Sequence, residues 1–184
     1  EEPSVEEHDV TLFAADEAYD GTIVARKIAT THGILVAAPS YLQRKGIPQT
    51  PNELVAHDCL ELSGSIARHK RWHLRNETNP QETVDLNLTP VISSNHIETL
   101  IAATLDGVGI TPCTVELVGP LLATGELVRV LAPWVAGQVH LYAALPSRQY
   151  LPRRTRVFLD YLTEQTALML ADAQAVCGGM SGLR

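Results

Sequence analysis

The 184-residue chain carries 14 Lys and Arg against 21 Asp and Glu, a net charge of −7, with 45% hydrophobic residues, enough to build a core in one domain or two small lobes. That balance argues against a direct grip on a phosphate backbone, which needs Lys and Arg to neutralise phosphates. No apolar run approaches the roughly 18 residues that span a bilayer, no basic start with an apolar core marks a secretory signal, and three scattered cysteines, Cys59, Cys113 and Cys177, point to reduced thiols rather than a disulfide framework.

In chain order, residues 9–14, 22–28 and 33–38 read as strands. Pro39-Ser40 starts a short helix ended by Gly46. Thr50-Pro51-Asn52-Glu53 starts another, with Pro at the first helical position and Glu53 completing a capping box with Thr50. Residues 59–62 return as a strand. Between 71 and 88, two strand-like stretches flank the turn-forming Asn76-Glu77-Thr78-Asn79-Pro80 and predict an antiparallel pair. Residues 93–112 encode a capped helix, a glycine stop and a strand. Asn95 is placed as the cap and Glu98 as its capping-box partner. Ile97, Leu100, Ile101 and Leu105 form the apolar face, and Gly107 suits a left-handed C-terminal turn. Residues 114–123 predict a helix irregular at Gly119-Pro120, and 127–131 a strand. Pro133-Trp134 begins a loop, 139–145 form a buried strand, and Pro152 opens a last helix with Val157, Phe158, Tyr161, Leu162, Leu168 and Met169 on one face. That helix is expected to end near Asp172, and residues 173–184, which contain Gly178, Gly179 and Gly182, to fray. Alternating strands and helices predict an α/β fold with a mostly parallel sheet.

The candidate chemistry is sparse. The N-terminal end of the 97–105 helix, flanked by Ser93, Ser94, Asn95 and His96, offers free N–H groups and a positive dipole end to a small anion; an ordinary capped helix is the plain alternative. No nucleophile elbow, P-loop or zinc-protease motif occurs, and Gly107-Val108-Gly109 lacks the third glycine of a dinucleotide loop. His69 and His73 stand four apart, but the local pattern is strand-like and cationic, which disfavours a metal site. Cys59 follows His57 and Asp58, which would suit an activated thiol, yet it opens an apolar strand and reads as core. The first twenty residues hold Glu1, Glu2, Glu6, Glu7, Asp9, Asp16, Glu17 and Asp20 without a Lys or Arg. Arg68, Lys70, Arg71 and Arg75 cluster with His69 and His73; both regions read as solvated surface, with contact to DNA or an acidic partner as the sharper reading of the basic cluster.

An ordered set of segments carries a resemblance. Ile23-Val24-Ala25-Arg26-Lys27-Ile28 is followed by Gly33-Ile34-Leu35-Val36-Ala37-Ala38-Pro39-Ser40-Tyr41-Leu42, then Thr50-Pro51-Asn52-Glu53-Leu54 and His57-Asp58-Cys59-Leu60. After the 93–112 segment come Leu121-Leu122-Ala123-Thr124-Gly125-Glu126-Leu127-Val128-Arg129-Val130-Leu131, Leu141-Tyr142-Ala143-Ala144-Leu145-Pro146-Ser147-Arg148, and Val157-Phe158-Leu159-Asp160-Tyr161-Leu162. Across residues 9–165 this resembles the effector-binding domain of LysR-type transcriptional regulators.

The resemblance implies a two-lobed, type 2 periplasmic-binding-protein-like α/β fold, with two crossing strands joining the lobes and a small-molecule effector, a small organic acid, held between them. Lobe I would comprise residues 1–28 and 148–172, lobe II residues 29–147, and the tail 173–184. The family's opening strand-helix-strand unit and its DNA-binding winged helix-turn-helix have no counterpart here, so the chain looks like a C-terminal fragment with an incomplete first lobe. Val10, Leu12, Phe13, Phe158 and Tyr161 are then expected to lack packing partners. The effector contacts it points to are Ser93, Ser94, Asn95 and His96, with Ser40 and Thr111 at strand ends. Several relatives have an arginine where this chain has Ala14, which makes a dicarboxylate effector a poorer fit. No enzyme activity, cofactor, metal or membrane contact is expected; a bacterial, cytoplasmic homodimer is, touching DNA only through the absent segment. The alternatives are a secreted solute-binding protein of a transporter, which shares the two-lobed physics, and a catalytic domain.

Overall fold

A computed structural model describes residues 8–15, 23–63, 71–146 and 151–179. Tertiary contacts divide the chain into two units, Glu1–Thr31 with Gln138–Asp172, and a second built on His32–Gly137. The sequence boundaries at 28/29 and 147/148 therefore differ from the observed ones. Residues 138–145 group with the first unit because their strand pairs there with the strand at residues 11–15.

In the first unit, β1 (Thr11–Ala15) runs antiparallel to the end of a long strand, with Thr11 opposite Ala144 and Ala15 opposite His140. The core consists of Ile28, Ala143, Leu145 and Leu159, with Val10, Val24, Leu141, Leu151 and Leu162 packed on it. Phe13 stacks on Tyr142 at 5.4 Å, and Thr30 Oγ1 hydrogen bonds His140 Nδ1 at 2.8 Å. Leu12, Phe158 and Tyr161 are exposed, together with Val157, Leu168 and Met169, so the predicted apolar face of the last helix is largely uncovered. Val10 and Phe13 are half-buried.

The strands expected at 22–28 and 33–38 form one continuous strand, β2 (Val24–Ala37). Within the second unit come α1 (Pro39–Lys45), a 3-10 turn (Pro51–Ala56), β3 (Leu60–Leu62), β4 (Arg71–Asn76), β5 (Thr83–Asn87), β6 (Ile92–Ser94), α2 (Ile97–Leu105), β7 (Thr111–Thr114) and α3 (Val115–Thr124), which holds Pro120 inside. β8 (Val128–Leu145) replaces the predicted strand, loop and strand. Pro133-Trp134 does not break it because β4 continues to pair there, Asn76 opposite Trp134, and Glu77 N–H donates to Pro133 O. α4 (Arg153–Gly179) follows. It runs past the expected end at Asp172, as the good helix formers Ala171, Ala173, Gln174 and Ala175 allow. Residues 173–179 of the expected frayed tail are thus helical, and residues 180–184 lie outside the described residues.

The principal sheet has the order β5-β4-β8-β2-β7, with β1 on β8. Its described pairings β1–β8, β2–β7, β4–β5 and β4–β8 are antiparallel; β3–β6 and the Cys59–Ile110 bridge are parallel. The expectation of a mostly parallel sheet is thereby corrected. In the second unit, β2 alternation divides the core between the two sheet faces. Leu35 and Ala37 pack with Tyr41, Leu54, Trp72, Leu74 and Ile110, while Ile34 and Val36 pack with Cys113, Val118, Leu122 and Val135. A strand covered on both faces needs the near-continuous apolar run Ile34-Leu35-Val36-Ala37-Ala38.

Candidate functional site

The site predicted from sequence lies where β6 turns into α2. β6 is held in parallel register by β3, Glu61 opposite Ser93 and Leu62 opposite Ser94, and Ser63 N–H donates to Ser94 O at 2.8 Å. The Ser94 hydroxyl accepts the His96 N–H at 3.1 Å, closing the turn that launches the helix. α2 is anchored by buried Leu100 and Thr104.

The cap differs from the expected one. His96, not Asn95, is the N-cap, its side chain makes no cap hydrogen bond, and among the described residues no side chain bonds the first-turn N–H groups. Starting the helix one residue later puts Glu98 at the second helical position instead of the third. Its carboxylate then meets His96 Nδ1 at 3.1 Å, both groups exposed, and does not reach back to a cap N–H. The N-terminal N–H groups therefore lack the side-chain acceptor that a capping box supplies. Ser93, Asn95 and His96 are exposed and Ser94 half-buried around this end.

Ser40 and Thr111 do not join them. A Cβ built on Gly107 would lie 2.8 Å from Ser40 Oγ, which places Ser40 at the C-terminal end of α2, roughly 13 Å of helix away from its start. Thr111 is fully buried, its hydroxyl directed at Leu60 O at 3.5 Å, because β7 enters the sheet at that residue. Four of the six predicted contacts are thus brought together. The C-terminal end of α2 is closed as the sequence predicts: Gly107 has φ 75°, Gly107 N–H donates to Thr104 O, Val108 N–H to Ala103 O, and Arg44 Nη2 to Gly107 O at 2.7 Å. Gly109 is required by close approach, since a Cβ there would collide with Asp58 O.

A polar network that the sequence did not reveal supports β3 from below. Tyr41, with no exposed surface, accepts the Asp58 N–H at 2.8 Å and shares a 3.0 Å hydrogen bond with His57 Nδ1. Arg44 lies over its ring at 5.5 Å, and Lys45 pairs with Asp58 at 3.1 Å. Burial pushes the Tyr41 phenol up. Burial first, and the Lys45 ammonium second, push His57 below its ordinary value. The Cys59 thiol is pushed up to about 12 by burial and then by Asp58, and Cys113 to about 12 by burial. Both are protonated at neutral pH, so Cys59 belongs to the core as read from sequence and is no activated nucleophile. Tyr41 reaches His57 and Asp58 only through the tertiary fold, and sequence spacing gave no signal for it.

The basic stretch has its apolar members inward, Trp72 and Leu74 being buried, while exposed His73 pairs with Asp85 at 2.7 Å. Arg68, His69 and Lys70 lie outside the described residues. Among the described residues, no group of three or more His, Cys, Asp or Glu is placed to hold a metal ion, and no helix is long and apolar enough to cross a membrane. What the α2 end offers is backbone N–H groups, the hydroxyls of Ser93 and Ser94 and a helix dipole, the equipment for holding an anion, with the Glu98 carboxylate drawn onto His96.

Comparisons agree with this architecture. The family described as the LysR substrate binding domain matches residues 4–167. The transcriptional activator TtdR of Escherichia coli O6:K15:H31 is 34% identical over 154 residues, 84% of this chain and 48% of the relative. The full-length virulence activator AphB of Vibrio cholerae superposes with a TM-score of 0.71 at 26% identity, covering 86% of this chain and 52% of that one. The CrgA regulatory domain of Neisseria meningitidis gives 0.69 at 28%, covering 85% and 74%. The chain spans about half the length of the curated relatives it matches.

Proposed function

The chain belongs to the LysR substrate-binding-domain family, with its type 2 periplasmic-binding-protein-like fold, and from that premise we propose that it senses a small organic acid through the N-terminal end of α2. The relatives are transcriptional regulators rather than transport proteins, so the solute-binding alternative is set aside. The observation that carries the reading is the α2 end itself: N–H groups without a side-chain cap, bordered by Ser93, Ser94, Asn95 and His96. A carboxylate seated there gains the helix dipole and the first-turn donors, an interaction of about 0.3–1 kcal/mol at exposed sites and more when partly buried; hydroxyls of Ser93 and Ser94 add orientation.

In the longer protein, ligand binding shifts the balance between two conformations only to the extent that it favours one of them, and a DNA-binding segment reads out the shift. A cytoplasmic homodimer that leaves its ligand chemically unchanged completes the proposal. The family is one of regulators, and the Ser94 hydroxyl bonds the His96 main chain while the His96 imidazole pairs with Glu98. A thermal-shift screen of small carboxylates, phenols and amino acids, followed by recovery of the ligand, tests this. Stabilisation by a carboxylate, lost in Ser93→Ala/Ser94→Ala, with the ligand recovered intact, is the expected result; a flat response in every class, or turnover of the ligand, contradicts it.

A further inference from the structure

A second anion-binding position is marked by Arg75 and His32, both in the second unit. On β4, Arg75 stands opposite Thr83 of β5 and Val135 of β8, and paired residues project to the same face. Val135 packs with Ile34 and Val36, and His32 shares their side of β2 by strand alternation. The two basic side chains meet on this face, Arg75 Nη2 lying 3.2 Å from His32 Nε2. A guanidinium only donates, so the imidazole nitrogen is the acceptor.

That contact sets Arg75 apart. Arg26 ends on Asp160, Arg44 on Gly107 O, Arg129 on Glu77 and Trp134 O, and Arg154 on Asp9. Each of these reaches an oxygen, four of the five bonds being within 3.0 Å. Among the described residues Arg75 alone of the hydrogen-bonded arginines ends on a nitrogen, although it is half-buried. The acid nearest it on the strand pair, Asp85, is engaged by His73 at 2.7 Å, and Glu77 is engaged by Arg129. A half-buried guanidinium whose other N–H donors meet no oxygen among the described residues is poised for an anion from outside.

We propose that Arg75 binds an oxyanion, a carboxylate, phosphate or sulfate group, with His32 as a positioning residue that holds one edge of the guanidinium so that the rest of the fork faces the ligand. The position is independent of the α2 site. Sodium sulfate and sodium acetate, each against sodium chloride at matched ionic strength, are the probes. Thermal unfolding and backbone amide shifts are read on the full chain and on Arg75→Gln, Arg75→Lys and Ser94→Ala. At sulfate ten times its Kd, the unfolding equilibrium constant of the parent falls about elevenfold beyond the chloride control. Saturable amide shifts centre on His32, Gly33, Leu74 and Arg75. Arg75→Gln loses the saturable shifts at these residues and is stabilised less than the parent, Arg75→Lys keeps the charge but binds more weakly for want of the fork, and Ser94→Ala, which touches only the α2 end, keeps the shifts at these residues. A response to acetate as well as sulfate assigns a carboxylate-bearing ligand, and a response to sulfate alone a phosphoryl or sulfuryl group. Equal stabilisation of the parent and Arg75→Gln, which is the general effect of sulfate on folded proteins, or amide shifts that stay linear at these residues, overturns the proposal.

Discussion

The two ends of α2 are finished in opposite ways. At the C-terminal end Gly107 and Val108 donate back to Thr104 and Ala103, and Arg44 covers the Gly107 carbonyl. At the N-terminal end a Ser94–His96 turn leaves the first-turn N–H groups without a side-chain cap, among exposed Ser93, Asn95 and His96. One end is closed by bonds within the chain and serves the fold; the other keeps donors in reserve. Substitutions at the closed end and in the packing beneath it are therefore expected to change stability, and substitutions at the open end to change binding.

The largest loss is expected from Leu100→Ala. The side chain has no exposed surface, and deleting it leaves a cavity costing about 2–5 kcal/mol in urea unfolding. Tyr41→Phe comes next. It removes the acceptor of the Asp58 N–H and the His57 contact, and a buried donor left without a partner costs about 1–3 kcal/mol; a denaturation midpoint equal to the parent's contradicts the role given to this network. Gly107→Ala is expected to cost about 1–2 kcal/mol, the penalty of a left-handed conformation for a residue with a Cβ, with the Ser40 hydroxyl adding to it through its closeness. Ser94→Ala at the open end should stay within about 0.5 kcal/mol of the parent while losing the ligand response, and a loss of stability as large as that of Gly107→Ala would erase the distinction between the ends.

The smallest effect concerns pH. His57 titrates below its ordinary value in the fold because burial, reinforced by Lys45, disfavours the imidazolium. The unfolded chain binds this proton more readily, so folding stability rises with pH through this window. The His57 contribution is fully present above the ordinary value near 6.5 and is lost as pH falls through the lowered folded value. Urea midpoints measured across this range should fall on acidification, and His57→Gln should flatten the slope. An unchanged slope in that variant assigns the pH dependence to other groups.

Much of the second unit was legible because its signals are local. Pro39 and Gly46 bracket α1, the Asn76–Pro80 cluster marks the turn between β4 and β5, and the spacing of Ile97, Leu100, Ile101 and Leu105 with Gly107 defines α2. What escaped was decided by competition or by distance. Asn95 and Glu98 had the spacing of a capping box, but the Ser94 hydroxyl captured the His96 N–H and moved the start of the helix. Pro133 looked like a strand breaker, yet pairing to β4 carries β8 through it. Thr111 looked like a strand-end hydroxyl free for a ligand, but the main chain of Leu60 takes it. Tyr41–His57 and Arg75–His32 join residues from different elements, and no periodicity announces such pairs.

The most direct test of the open-end account is to follow the amide resonances of Ile97, Glu98 and Thr99 while the chain is titrated with a panel of small hydroxy- and keto-carboxylates. The account predicts saturable shifts at these three amides for at least one acid, abolished by Ser93→Ala/Ser94→Ala and unaffected by Ser40→Ala. Absence of saturable shifts across the panel, or shifts that survive the double substitution, would contradict it.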